Sequence, residues 1–140
     1  GAFMSFKMAC SASDLISGIV AYGGTGPLDY SHCNVKKPLK ILQINGKEDK
    51  VIKFEGMKDH FPSADFASTF WAKKFKCHSF PNQYLTSFNK KGHLSSIEVM
   101  EFNHCQENSK FIRWNIPEGK HLTILGEKVL PQIVNFLISE

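Results

Sequence analysis

Apolar positions along the chain switch between a helical and a strand-like period, and the switches divide it into alternating helices and strands. Phe3, Phe6 and Cys10 fall at helical spacing, which predicts a helix from Gly1 to about Cys10. Ser17 to Tyr22 reads as a short buried strand that ends in the loop Gly23-Gly24-Thr25-Gly26-Pro27. Lys40 to Ile44 is the next strand, followed by a long loop to Pro62. Ser63 is placed to cap a helix over Ala64 to Lys76, with Phe66, Phe70, Trp71 and Phe75 as its apolar stripe. Ile97–Phe102 and Phe111–Ile116 form a strand pair in which Ile112, Trp114 and Ile116 alternate onto one face. Val129, Leu130, Ile133, Val134, Leu137 and Ile138 then recur at helical spacing. Pro131 fits only the first turn, so this helix starts near Val129 or Leu130. Segment 78–95, with Pro81, Asn82, Asn89 and Gly92, reads as a surface excursion. The pattern predicts an α/β fold of mostly parallel strands flanked by helices, with no internal repeat, low-complexity tract or interdomain linker.

Composition narrows the classes. At 42% hydrophobic residues with twelve phenylalanines, the chain is rich enough in apolar groups to fold. A net charge of +4 is carried by short lysine pairs such as Lys36-Lys37, Lys73-Lys74 and Lys90-Lys91 rather than by a basic stripe with stacking aromatics, so a nucleic-acid partner is not expected. No apolar stretch approaches the roughly 20 residues of a membrane span, so no membrane partner is expected either. The glycine cluster at 23–26 could cradle a phosphate, but it lacks the G-x-G-x-x-G spacing and reads as a turn near the active-site face.

Four cysteines, Cys10, Cys33, Cys77 and Cys105, lie 23, 44 and 28 residues apart with no C-x-x-C pair. An even count at wide spacing favours disulfides in an exported protein, hence a secreted or other oxidising location, extracellular, periplasmic or lumenal. The most local pairing is Cys10 with Cys33 and Cys77 with Cys105; four buried reduced thiols in a cytosolic protein are the alternative. His32 and His104 each precede a cysteine, but no third ligand follows at a recognisable spacing, and no metal is assigned.

The chemistry concentrates in Asp49 and His121. Asp49 follows the apolar run from Leu39 to Ile44 and the glycine turn at Gly46; His121 follows Phe111–Ile116 and Pro117-Glu118-Gly119-Lys120. Both stand just past strand-like runs, where open α/β sheets put their catalytic groups. A serine hydroxyl is a weak nucleophile until an imidazole takes its proton and a carboxylate holds that imidazole in the correct tautomer. Asp49 and His121 are candidates for the acid and the base. Glu55 and Asp59 are rivals on the same loop, and His60, His78, His93 and His104 sit in less strand-terminal contexts.

Nearly the whole chain resembles the C-terminal half of the secreted polyhydroxybutyrate depolymerase and feruloyl esterase family of α/β-hydrolases. Gly1-Ala2-Phe3-Met4-Ser5-Phe6-Lys7-Met8-Ala9-Cys10 is similar to the family's helix that begins at the last glycine of G-x-S-x-G and ends in Ala-Cys. Ile44 to Gly56 resembles the family's His-Gly-Thr-x-Asp-x-Val-Val-Pro-Tyr-x-Gly segment, with Asn45 in place of the histidine and Lys53 in place of the proline. Glu118 to Ile124 corresponds loosely to its Gly-Gly-Gly-His-Thr-Trp-Pro loop. The resemblance implies that 1–140 is a single partial α/β-hydrolase domain whose N-terminal half is absent, with the nucleophile two residues upstream of Gly1. Chain order in this fold is nucleophile, acid, histidine. It implies acyl transfer on a polyester or aromatic acyl ester without metal or organic cofactor, Asp49 and His121 as acid and base, and no activity in the isolated chain. Cysteines at comparable places in the family support the local disulfide pairing. Pairing with the missing half, or self-association, is the expected interaction, and a non-catalytic binding or structural remnant that pairs with another chain is the alternative.

Overall fold

The computed structural model describes residues 1–90, 93–121, 123 and 125–139. The expectations for Lys91, Gly92, Leu122 and Ile124 therefore lie outside the described residues. The elements run α1 (Ala2–Ser11), a 3-10 turn (Ser13–Leu15), β1 (Gly18–Tyr22), β2 (Lys40–Gly46), α2 (Ala64–Lys74), β3 (Asn82–Lys90), β4 (His93–Phe102), β5 (Lys110–Ile116) and α3 (Val129–Ile138). The strands form one sheet in the order β1-β2-β5-β4-β3. β1, β2 and β5 are mutually parallel, with Ile41 opposite Phe111 and Ile44 opposite Trp114, whereas β4 and β3 are added antiparallel.

The fold is α/β, but the sheet is evenly mixed rather than mostly parallel. The cause is segment 78–95, which is no excursion: Asn82–Lys90 pairs with His93–Phe102 as a hairpin that extends the sheet beyond β5. Gln83, Tyr84 and Leu85 are all exposed, so this outermost strand carries no burial-driven alternation that could announce it.

β2 lies between parallel neighbours and is buried on both faces from Ile41 to Gly46. One face packs Ile19, Ile41 and Phe111 against Phe6 of α1 and Trp71 of α2. The other packs Leu42, Ile44, Trp114 and Ile116 with Val129 and, partly buried, Ile133 and Phe136 of α3. Ser63 caps α2, its hydroxyl accepting from the Phe66 amide at 3.0 Å. The predicted aromatic stripe is only partly core: Trp71 and Phe75 are buried, whereas Phe66 is 54% exposed beside Tyr30. α3 likewise leaves Leu130, Val134 and Ile138 exposed.

Two disulfides tie loops to this frame. Cys10–Cys33 fixes the end of α1, and Cys77–Cys105 joins the segment after α2 to the β4–β5 loop. They close separations of 23 and 28 residues, contributing about 3.5 kcal/mol each in the chain-entropy model. Two such bridges mark an oxidising compartment. No helix among the described residues is long and apolar enough to cross a membrane.

Candidate active site

Three parallel strands must end on the same edge of the sheet, and here each releases one part of the site. β1 ends at Gly23-Gly24, β2 leads through Gly46 to Asp49, and β5 leads through Ile116 and Gly119 to His121. The turns after β2 and β5 interlock through their backbones: the Lys47 amide donates to the Ile116 carbonyl and the Glu48 amide to the Gly119 carbonyl, both at 3.0 Å. Only a glycine permits that approach, because a Cβ on Gly46 would stand 2.2 Å from the Gly119 carbonyl oxygen. Residues 72 apart in sequence are thereby brought together.

Asp49 is 6% exposed, yet its carboxylate is fully used. Oδ1 accepts from the Val51 and Ile52 amides, each at 2.8 Å, a turn in which the side chain mimics a backbone acceptor. Oδ2 accepts from His121 Nδ1 at 2.8 Å. Because a carboxylate can only accept, the proton sits on Nδ1, which leaves Nε2 as the ring's acceptor whenever the imidazole is neutral. The His121 side chain remains 32% exposed, so the ring is fixed on one side and reachable on the other.

The rest of the surroundings hold the ring rather than react. A Cβ on Gly23, whose φ of +73° already favours glycine, would lie 3.1 Å from the imidazole Cε1. A Cβ on the next residue, Gly24, would lie 2.6 Å from Ala2 Cβ in the first turn of α1. Consecutive residues thus touch the histidine and the start of a helix, whose first amides precede the Ser5–Gly1 hydrogen bond. The Tyr22 hydroxyl donates to the Thr123 carbonyl at 2.6 Å and pins the chain just after His121. Burial pushes the Tyr22 phenol pKa up.

Beneath the site lies a buried polar layer. Gln43 and Asn45 of β2 and Arg113 and Asn115 of β5 are buried, and Gln43 and Arg113 reach the Ala64 carbonyl at the start of α2. Gln43 Nε2 donates to Asn45 Oδ1, and Asn45 Nδ2 donates to the Gly24 carbonyl at 3.2 Å, linking the sheet to the glycine loop. Arg113 donates to Asn115 and Ser68, pairs with Asp65 at 2.6 Å and lies over the Phe54 ring. Such a layer is tolerated only because its members bond one another. Gln43 Oε1 is the exception, buried without a hydrogen-bond partner among the described residues.

The structure brings Asp49 and His121 together and leaves their rivals apart. Glu55 and Asp59 are exposed, and neither bonds an imidazole among the described residues. His60 faces the Lys58 carbonyl, and the His78 ring lies against that of His104. Gly23 and Gly24 fall at the active-site face as their strand-end position suggests, whereas the contacts of Tyr22 and Asn45 come from the register of three strands. All four cysteines are consumed in disulfides, so no thiol competes as nucleophile. No protein-family model, curated protein or solved structure matches the chain.

Proposed function

We propose that the chain supplies the acid and the base of a serine esterase of the polyhydroxybutyrate depolymerase and feruloyl esterase type. The observation that carries this reading is the Asp49–His121 hydrogen bond at the carboxyl edge of the parallel strands, beside the first turn of α1. In this reading β1, β2, β5 and the helices on them are the later half of an α/β-hydrolase sheet in a secreted enzyme. The serine stands just ahead of α1, facing Nε2 of His121. The ring takes the hydroxyl proton as the oxygen attacks the ester carbonyl, then returns it to the leaving alcohol; water repeats the cycle on the acyl-enzyme. Asp49 holds the tautomer and stabilises the imidazolium. The backbone amide of the residue that follows the serine, just ahead of Gly1, donates to the oxyanion in this reading.

The substrate class follows from the resemblance: a polyester or an aromatic acyl ester, with no metal or organic cofactor in the mechanism. Nucleophile and oxyanion donors must share one site with the base, so the 140-residue chain alone should not turn over p-nitrophenyl acetate. Turnover that His121→Ala abolishes would overturn this reading, because the site would then be complete within these residues.

A second reading has its own support. Among the described residues β1 bonds only to β2 in the sheet order, and Leu130, Val134 and Ile138 form an exposed apolar row on α3. An open strand edge beside exposed apolar groups favours association, either with the preceding half of the hydrolase, with a second copy, or as a non-catalytic module on another chain. A monodisperse monomer with a fully protected β1 in hydrogen exchange would exclude it.

A further inference from the structure

His78 and His104 lie outside the acid–base pair and are used by nothing described above. Each adjoins one half of the Cys77–Cys105 disulfide, so the covalent link that joins the α2–β3 connection to the β4–β5 loop also carries an imidazole on each side. Their ring centroids are 4.3 Å apart with planes inclined by 30°. Two backbone bonds brace the same junction: the His78 amide donates to the Asn103 carbonyl at 2.9 Å, and the Gln106 amide to the Phe75 carbonyl at 2.6 Å. His104 is held at φ +53°, in the left-handed region that a branchless residue would prefer, so its side-chain direction is set by the backbone around it. Both residues are exposed, and their side chains make no hydrogen bond to the protein among the described residues.

We propose that this pair is a binding site for a divalent first-row transition ion, with copper(II), nickel(II) and zinc(II) as its chemical class. Neutral imidazole is the ligand that such ions favour, while calcium and magnesium require oxygen. Metal–nitrogen bonds of about 2.0–2.1 Å let one ion bridge two ring nitrogens about 3 Å apart at a tetrahedral or square angle. With centroids 4.3 Å apart and planes tilted by 30°, both rings must turn about their terminal torsions to direct a nitrogen each at one ion. No third histidine, cysteine or carboxylate completes a three-ligand set among the described residues, so water fills the remaining positions. An ion there clamps the same two segments as the disulfide. It binds the folded, oxidised chain better than the unfolded one and therefore stabilises the fold by mass action.

The test is a copper(II) titration of the oxidised chain, free of chelator and reductant, followed residue by residue by paramagnetic broadening in NMR. Nickel(II) and zinc(II) affinities are measured alongside by calorimetry. Broadening should begin at 77–78 and 104–105 together, and the thermal midpoint should rise with nickel(II) or zinc(II) but not with magnesium. His104→Gly removes one ligand while suiting the positive φ, so it should fold at least as well and weaken binding by about tenfold or more, as loss of a chelate partner does. His78→Gln should do the same. Broadening centred on another of the six histidines, or affinities unchanged in both variants, would overturn the proposal.

Discussion

The Asp49 carboxylate divides its two oxygens between two tasks: Oδ1 takes the Val51 and Ile52 amides, and Oδ2 takes the His121 Nδ1 proton. That division makes Asp49→Asn informative. The two amides demand an acceptor, so the asparagine oxygen stays with them and its NH2 group faces the ring. Nδ1 must then accept, and the proton moves to Nε2, where a base could no longer receive one. Nitrogen-15 NMR of the neutral ring should show Nδ1–H in the wild type and Nε2–H in the variant. The same tautomer in both would mean that Asp49 does not orient His121.

The interlocked turns give a steric prediction. Gly46→Ala places a methyl 2.2 Å from a backbone oxygen that cannot swing aside, so the β2 and β5 turns must separate. The loss should be about 3 kcal/mol, at the upper end of ordinary single substitutions. Urea unfolding measures it, and the His121 ring signals should report loss of the Asp49 contact. A variant with unchanged midpoint and unchanged histidine spectrum would show that the close approach is not maintained in solution.

Much of this site was legible because parallel strands oblige their ends to meet. Asp49 past the Gly46 turn and His121 past Gly119 could be picked out from apolar runs and glycine punctuation alone. The helix cap at Ser63 and the helix start at Val129 were equally local matters. What could not be read depends on what covers a residue. Gln43, Asn45, Arg113 and Asn115 are polar in sequence but buried: the start of α2 supplies carbonyl and hydroxyl partners to Gln43 and Arg113, while Asn45 bonds the Gly24 carbonyl and Asn115 accepts from Arg113. Phe66, Leu130 and Ile138 follow an apolar period, yet no element covers them among the described residues. The contact of His78 with His104 lies beside the Cys77–Cys105 bridge that the cysteine spacing suggests, but the positive φ of His104 that aims its ring is announced by no local pattern.

Alkaline pH should expose how the tyrosines are used. Burial pushes the Tyr30 phenol, which donates to the Thr25 carbonyl and stacks on Phe70, well above the ordinary tyrosine value. Tyr84, although 44% exposed, is raised to about 12 by partial desolvation of its hydroxyl and by its hydrogen bond to Glu101. Folding thus favours the neutral phenols. Their contribution is fully present below the unfolded pKa of about 10 and is lost as pH climbs from there through the folded values. Phenolate absorbance of the folded chain should lag behind that of the chain in denaturant, and stability should fall above pH of about 10. Coincident titration curves would refute the burial of Tyr30.

Whether Asp49 and His121 act as acid and base is tested most directly by giving them a nucleophile. In a chain extended so that a serine stands two residues ahead of Gly1, p-nitrophenyl acetate should transfer one acyl group to that serine, read by mass spectrometry and by release of p-nitrophenol. His121→Ala should slow this acylation by about 100-fold or more, the usual contribution of a general base, and Asp49→Asn should slow it in the same direction. Acylation at equal rates in all three chains, or its absence in a correctly folded extended chain with the Asp49–His121 hydrogen bond intact, would contradict the assignment.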